Sequence, residues 1–155
     1  MISIAIATSK SALPAGDQAL AVALAEQGFD VHPVIWSSPQ QEWRKFDVVV
    51  VRSCWDYHLR TEEFLGWIAL LERHGVAVLN PPDLFRWNVD KNYLAELAAA
   101  DIPVPETIFV DPGTEVDLTT VCISRDWPSA VVKPTISASA YCTERRRTGL
   151  VLPSL

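Results

Sequence analysis

The sequence at Asp47–Val51 is Asp-Val-Val-Val-Val, and these four consecutive valines decide the fold class. A continuous run of β-branched residues favours a strand that is buried on both faces, which is typical of a parallel sheet. Other apolar runs of strand length lie on both sides of it, at Ile2–Ala7, Val31–Ile35 and Val76–Leu79. The sequence therefore predicts four strands within its first 80 residues.

Two helices are predicted between these strands. Pro14–Gln27 has helical periodicity and is followed by Gly28, a residue typical of the position after a helix. Thr61–His74 has an apolar stripe and two glutamates near its start, where acidic groups interact favourably with the helix dipole. The alternation of strands and helices predicts an α/β domain with crossover connections at residues 1–81.

The pattern changes after Pro82, and we place a second domain at residues 82–155 with a break near 81–88. Asp90–Ala100 is predicted to be a helix that carries Lys91 in its first turn. Thr107–Val110 is a candidate strand, and Ala130–Val132 is a short strand that leads into Lys133.

Composition excludes several classes of protein. The 155 residues have a net charge of −6, whereas nucleic-acid-binding domains are normally basic. No apolar run is long enough to span a membrane, and no basic leader precedes the first strand, so we expect neither a membrane partner nor secretion. The three cysteines, Cys54, Cys122 and Cys142, are odd in number and widely spaced, which favours a reducing cytoplasm over a disulfide framework.

The glycine-rich nucleotide loops are absent. None of the six glycines forms a GxGxxG pattern, and none precedes a lysine as in a P-loop. Both loops need glycine so that backbone N–H groups can approach phosphate. A dinucleotide-binding fold and a P-loop NTPase are therefore disfavoured.

A polar and aromatic segment, Arg52–Arg60, directly follows the valine strand. Ligands of open parallel sheets bind beyond the carboxyl ends of the strands, so Arg52, Asp56 and Tyr57 are candidate substrate-binding residues. Arg52 offers a planar fork of donors suited to a carboxylate or a phosphate. In the alternative interpretation, Arg52 and Asp56 pair with each other, and Trp55 and Tyr57 only pack.

Two lysines are candidate phosphate contacts. Lys91 near a helix N-terminus suits a phosphate, although a surface helix start is the simpler interpretation. Lys133 follows two valines that we expect to be buried, so its charge needs a polar partner, or else it extends to solvent. The small residues at Ser137–Ala140 could fold over a polyphosphate.

These segments, taken in order, resemble the ATP-grasp superfamily over roughly residues 1–143. The segments that carry the resemblance are Arg52–Tyr57, Asn80–Pro82, Arg86–Lys91, Val132–Pro134 and Ser137–Ala140. The most similar subgroup contains bacterial proteins related to glutathione synthetase and to the cyclo-ligase of cycloserine biosynthesis.

The resemblance implies a Rossmann-like pre-ATP-grasp domain with a parallel sheet, followed by an incomplete α+β ATP-grasp central subdomain. It implies ATP and Mg²⁺ as cofactors, with Lys91, Lys133, Ser137 and Ser139 contacting ATP. It also implies that the Arg52–Tyr57 segment faces the acceptor. The implied reaction forms an acyl phosphate from a small-molecule carboxylate, and an amine-type acceptor then displaces phosphate. No catalytic residue is assigned, and the oligomeric state is not predicted.

The sequence departs from the superfamily near its end. No Asp or Glu follows Glu144, so the chain offers no acidic magnesium cluster and no metal ligands are assigned. Cys142 stands where a glycine is expected, and the residues after Thr143 do not resemble the superfamily. We therefore expect a frameshifted or truncated ligase fragment that is inactive alone. The alternatives are a non-catalytic α/β binding or interaction module and an unrelated α/β enzyme that uses Arg52 and Asp56.

Overall fold

The computed structural model describes residues 1–147, which form two compact units, the first ending at Asp90 and the second beginning at Lys91. The first unit alternates strands and helices, as predicted. Its strands are β1 (Ser3–Thr8), β2 (Asp30–Ile35), β3 (Val48–Ser53) and β4 (Ala77–Leu79). Its helices are α1 (Ala15–Glu26), α2 (Thr61–Arg73) and α3 (Pro82–Asn88), and short 3-10 turns occupy Trp43–Lys45 and Tyr57–Leu59.

The four strands form one parallel sheet in the order β2-β1-β3-β4. The valine strand β3 therefore lies inside the sheet, between β1 and β4. The chain proceeds outward from β1 to β2 in one direction and from β3 to β4 in the other. Because parallel crossovers are right-handed, α1 and α2 lie on opposite faces of the sheet. The predicted α/β class with a parallel sheet is confirmed.

The face under α2 holds the main core of the first unit. Val49 on β3 and Ile68 and Leu71 on α2 are fully buried. Aromatic rings close this face: Trp67 lies 5.2 Å from Trp43 and 5.8 Å from Trp36, measured between ring centroids. Burial of large apolar and aromatic side chains is the dominant source of stability here.

The opposite face is only partly covered, so the prediction that β3 is buried on both faces is wrong for this side. Val48 and Val50 are half-buried and line an apolar groove with Leu20 and Leu24 of α1. Leu79 on the edge strand is 57% exposed. Helix α1 packs towards β2, which leaves the β3–β4 side of this face open. A valine run shows that a strand is central but not how completely each face is covered.

Helix α3 is not expected from the sequence, because Pro81 and Pro82 indicate a break after β4. Proline is well tolerated in the first helical turn, where its missing N–H would have no helical partner. The helix packs against α2: Arg86 forms an ion pair with Glu72, and the ring of Phe85 lies 6.2 Å from that of Phe64. Residues 82–90 therefore group by their contacts with the first unit, whereas the functional division at 81/82 stays a prediction.

The second unit contains helices α4 (Tyr93–Ala99) and α5 (Leu118–Ser124) and an antiparallel pair, β5 (Ser129–Val132) and β6 (Glu144–Arg147). Lys91 precedes α4, so its predicted place in the first helical turn is wrong. Thr107–Val110 is not a strand. Within residues 1–147, no helix has the length and apolar character needed to cross a membrane.

A matched pair of leucines tests the core of the first unit. Leu71→Ala should lower the free energy of unfolding by about 2–5 kcal/mol, because it leaves a cavity at a fully buried position. Leu59→Ala, at a largely exposed position, should change it by less than about 0.5 kcal/mol. Urea unfolding followed by tryptophan fluorescence measures both. Equal effects of the two substitutions would contradict the described core.

Candidate functional sites

The carboxyl ends of β1 and β3 meet at the point where the strand order reverses. The N–H of Ser9 donates to the carbonyl of Ser53 at 2.9 Å and holds the two strand ends together. In open α/β sheets this reversal leaves a crevice where ligands bind. The candidate residue Arg52 lies at this edge.

A β-bulge places Arg52 there. Val51 of β3 pairs with Ala7, but the next pair joins Ser53 with Thr8, so Arg52 has no partner in the register. Bulges redirect a side chain and are enriched beside functional sites. The Arg52 side chain is directed to Asp17 in the first turn of α1, with its Nε donating to Oδ1 at 2.8 Å.

Asp17 is a buried carboxylate whose two oxygens both accept hydrogen bonds. Oδ1 accepts from Arg52 Nε, and Oδ2 accepts a short bond from the hydroxyl of Ser53. The side chain is 4% exposed, and a buried charge needs such partners. The sequence pattern does not reveal the role of Asp17, because its partners lie 35 and 36 residues away. An acidic residue in the first turn after a central strand was the only available signal.

Arg52 keeps its terminal donors available to solvent. Its side chain is 48% exposed, and within residues 1–147 its only ion pair and hydrogen bond run through Nε to Asp17. The two Nη atoms therefore form a planar fork at the edge of the sheet. A planar fork of this kind matches the oxygens of a carboxylate or a phosphate.

The Asp56 carboxylate forms hydrogen bonds with side chains of the first unit. Its Oδ1 accepts from the indole Nε1 of the buried Trp36 at 2.8 Å, and its Oδ2 accepts from Arg60 Nη1 at 3.3 Å. The Arg60 guanidinium also stacks on the Trp36 ring, 4.7 Å from its centroid. The hydrogen bond from Arg60 to Glu63 raises the pKa of Arg60 and lowers that of Glu63. The alternative that Arg52 pairs with Asp56 is therefore wrong.

Tyr57 and Trp55 differ in their surroundings. The Tyr57 ring is partly buried and lies 5.5 Å from the ring of Phe64, so its packing agrees with the alternative interpretation. Trp55 is exposed, so that interpretation is wrong for this residue. The structure thus places Arg52, Asp56 and Tyr57 in one segment, but only Arg52 presents free donors.

In the second unit, Lys91 is bonded to the loop that follows β5. Its backbone N–H donates to the carbonyl of Thr135 at 3.0 Å, and its Nζ donates to the carbonyls of Thr135 and Ser137 at 3.2 and 2.8 Å. The hydroxyl of the buried Ser137 donates to the carbonyl of Pro134 at 3.2 Å. Lys91 and Ser137 therefore hold the loop in shape.

Lys133 has a different environment, at the end of β5. The two preceding valines are exposed, Val131 to 58%, so the expectation that they are buried is wrong. The two-stranded sheet leaves these side chains uncovered within the described residues. Lys133 is itself exposed, and it forms no ion pair or hydrogen bond in the part of the chain that the structure describes. It therefore has an ammonium available for an anion.

Comparisons with known proteins show which proteins the chain resembles. Residues 4–80 match the family described as D-cycloserine synthetase DcsG, N-terminal domain. The cycloserine biosynthesis protein DcsG of Streptomyces lavendulae is 33% identical over 126 residues, which cover 77% of this chain and 40% of that protein. The crystal structure of D-cycloserine synthetase DcsG matches with a TM-score of 0.77 and 29% identity, covering 94% of this chain and 50% of the other.

The chain is related to D-cycloserine synthetase DcsG. A RimK domain ATP-grasp protein from Sphaerobacter thermophilus has the same fold, with a TM-score of 0.68 and 21% identity over 95% of this chain and 55% of the other. The chain spans about half the length of these relatives. The predicted resemblance to ATP-grasp proteins is confirmed.

The ATP-grasp resemblance implies a loop over the nucleotide phosphates, and the backbone of this loop is unusual. Ser139, Ala140 and Cys142 have φ of 50°, 58° and 47°, in the left-handed region that favours glycine. The expectation of a glycine at position 142 agrees with this conformation. Ser139 is exposed within the same stretch.

The implied magnesium ion does not fit the described residues. Among residues 1–147, no group of three or more His, Cys, Asp or Glu side chains could hold a metal ion. Mg²⁺ prefers carboxylate oxygens in an octahedral arrangement.

The role of Asp56 can be tested by two substitutions of graded severity. Asp56→Ala should lower the free energy of unfolding by about 1–3 kcal/mol, because it leaves the buried Trp36 Nε1 without an acceptor. Asp56→Asn keeps an oxygen for that donor and should cost clearly less. Urea unfolding followed by tryptophan fluorescence compares them. An Ala variant as stable as the Asn variant would argue against the structural link.

The three cysteines should differ in reactivity. Cys54 is buried, and burial, with a smaller contribution from Asp56, raises its pKa to about 12, so almost no thiolate exists at pH 8. Cys122 is also buried, whereas Cys142 is exposed. A thiol reagent at pH 8 should modify Cys142 in the native chain, and the other two only after unfolding. Peptide mapping identifies the site, and rapid labelling of Cys54 would contradict this environment.

Proposed function

We propose that this chain is the N-terminal part of an ATP-dependent ligase that joins a small-molecule carboxylate to an amine-type acceptor. The relatives named above supply the ligase class, since one is a D-cycloserine synthetase and another an ATP-grasp protein. The observation that carries the proposal is the exposed Lys133, which is followed by a loop that Lys91 holds in place.

The two lysines have different roles in this proposal. Lys133 contacts the phosphates of ATP directly, because it is exposed at a strand end. Lys91 shapes the loop around that position, since its ammonium already donates to two loop carbonyls. Ser139 and Ser137 belong to the same loop, and Ser139 is the exposed hydroxyl of the two. ATP would supply the phosphoryl group that activates the carboxylate.

The first unit provides the substrate side of this proposal. Arg52 contacts the substrate through its free Nη donors, whereas Asp56 and Tyr57 support the segment around it through Trp36, Arg60 and the core. For the 155-residue chain alone we propose ATP binding without turnover, because Mg²⁺ ligation needs acidic groups that residues 1–147 do not bring together.

A non-catalytic binding module remains the second candidate. It is favoured by one observation: the first unit has its own aromatic core and presents the Arg52 fork by itself. This candidate needs no nucleotide.

Titration with Mg-ATP separates the two functions. Isothermal calorimetry should show weak binding, and Lys133→Ala should lower the affinity about tenfold or more, because a charge-assisted hydrogen bond is lost. Lys91→Ala should also weaken ATP binding. The amide NMR spectrum of this variant should differ from that of the wild-type chain across the 134–137 loop. Lys45→Ala is the matched control, since this exposed lysine belongs to the first unit and lies over the ring of Phe46.

Two outcomes would contradict the proposal. If the folded wild-type chain binds no ATP at millimolar concentration, the result favours the binding module. Binding that survives Lys133→Ala unchanged removes the proposed phosphate contact.

A further inference from the structure

The buried carboxylate Asp17 lies directly behind the exposed guanidinium of Arg52. We infer that Asp17 is a positioning residue for a carboxylate-binding site whose contact group is the Nη fork of Arg52. The inference rests on the substrate role proposed for Arg52, and it adds both the chemical class bound there and the residue that orients the contact group.

The bonding pattern of Arg52 leaves the useful donors unoccupied. Asp17 takes only the Nε–H, at 2.8 Å, although a carboxylate could also take an Nη–H in a two-bond arrangement. Because the guanidinium is planar, a bond at Nε sets the direction of both Nη atoms. The fork therefore points away from Asp17 with its orientation already determined.

Asp17 is itself held rigidly. The hydroxyl of Ser53 bonds to its second oxygen, and its backbone N–H donates to the carbonyl of Pro14 at 2.9 Å. Ser53 lies next to Arg52 on β3, so one short segment supplies both partners of the carboxylate. This arrangement fixes the plane of Asp17 and lowers the entropy that Arg52 loses when it binds a ligand.

A purely structural tie between α1 and β3 explains less of what is seen. The Ser53 bond already joins the two elements through a buried group. The bulge at position 52 leaves Arg52 out of the strand register. The guanidinium is nevertheless 48% exposed. These features account for a side chain that is held at one end and offered to solvent at the other.

The surroundings favour a carboxylate over a phosphate. Phosphate sites at the end of a first strand use glycine-rich loops, whose backbone N–H groups cradle the oxygens. Here the loop is Ser9–Pro14, which contains no glycine and ends in a proline that has no N–H. A single planar fork matches the two oxygens of a carboxylate, and bidentate pairing needs no such cradle.

The test uses the full 155-residue chain without ATP. The NMR signal of the Arg52 Nε–H, assigned by its loss in Arg52→Lys, should shift saturably with N-acetylglycine. It should not shift with N-acetylglycinamide, which has the same shape but no charge. Inorganic phosphate at the same concentration is the third probe. A shift with phosphate and none with N-acetylglycine would overturn the carboxylate assignment.

Asp17→Asn provides the decisive comparison, because an electrostatic role and a positioning role of Asp17 predict opposite changes in the affinity for N-acetylglycine. Removing a negative charge beside Arg52 should by electrostatics alone strengthen anion binding. The positioning role predicts instead an affinity for N-acetylglycine about tenfold weaker, together with faster solvent exchange of the Arg52 Nε–H, because a neutral amide oxygen holds a charged guanidinium less tightly than a carboxylate does. Asp83→Asn removes the same charge from the exposed partner of Arg86 and should change neither. Unchanged or stronger binding by Asp17→Asn would overturn the inference.

Two further variants keep the test decisive. Arg52→Lys retains the charge but has no fork, so it should bind N-acetylglycine weakly, and adding Asp17→Asn to it should have no further effect on affinity. If Asp17→Asn does not fold, Ser53→Ala leaves the ion pair in place and should give a smaller loss of the same kind. Additive effects in the double variant would contradict positioning through Arg52. Because this experiment contains no ATP, a negative result does not affect the proposal that Lys133 contacts ATP. Conversely, a chain that binds no ATP can still bind N-acetylglycine at Arg52.

Discussion

The parallel pairing of β1 with β3 is the constraint on which the first unit depends. Parallel neighbours cannot be joined by a tight turn, so each connection needs a crossover, and right-handed crossovers in opposite directions place α1 and α2 on opposite faces. The same reversal opens the carboxyl edge between β1 and β3. The location of the candidate substrate site therefore follows from the strand order, before any side chain is considered.

The charges at this edge are arranged by the need to pair a buried carboxylate. Asp17 is buried because α1 starts directly over the sheet edge, and burial without partners would cost several kcal/mol. Arg52 and Ser53 supply the partners from adjacent positions on β3. The one-residue bulge makes this possible, because it frees Arg52 from the regular alternation of the strand. The pairing of the buried carboxylate and the exposed fork proposed to bind an anion thus come from the same three residues.

Local patterns predicted the framework of the first unit well. The valine run, the apolar stripe of α2 and the glycines after α1 and α2 are short-range signals, and the observed elements begin and end close to the predicted positions. The predictions that failed depended on contacts between residues far apart in the sequence, or on features that leave no local pattern. The Asp17–Arg52 pair spans 35 residues, and the bulge that enables it leaves no local trace in composition. Pro81 and Pro82 did not indicate α3 clearly, because proline is found both after strands and in the first turn of helices.

The two lysines show why residue type alone cannot assign a role. Resemblance gives Lys91 and Lys133 the same task, but their surroundings differ. Two carbonyls of the following loop, 44 and 46 residues away, accept from the ammonium of Lys91, whereas Lys133 is exposed at the end of an uncovered strand. The carbonyl-bound ammonium of Lys91 still contributes positive charge to its neighbourhood. Replacing Lys91 would remove this charge and also the bonds that hold the loop. In the proposed function, Lys91 therefore couples the shape of the loop to the charge that the loop surrounds, and Lys133 supplies the direct contact with phosphate.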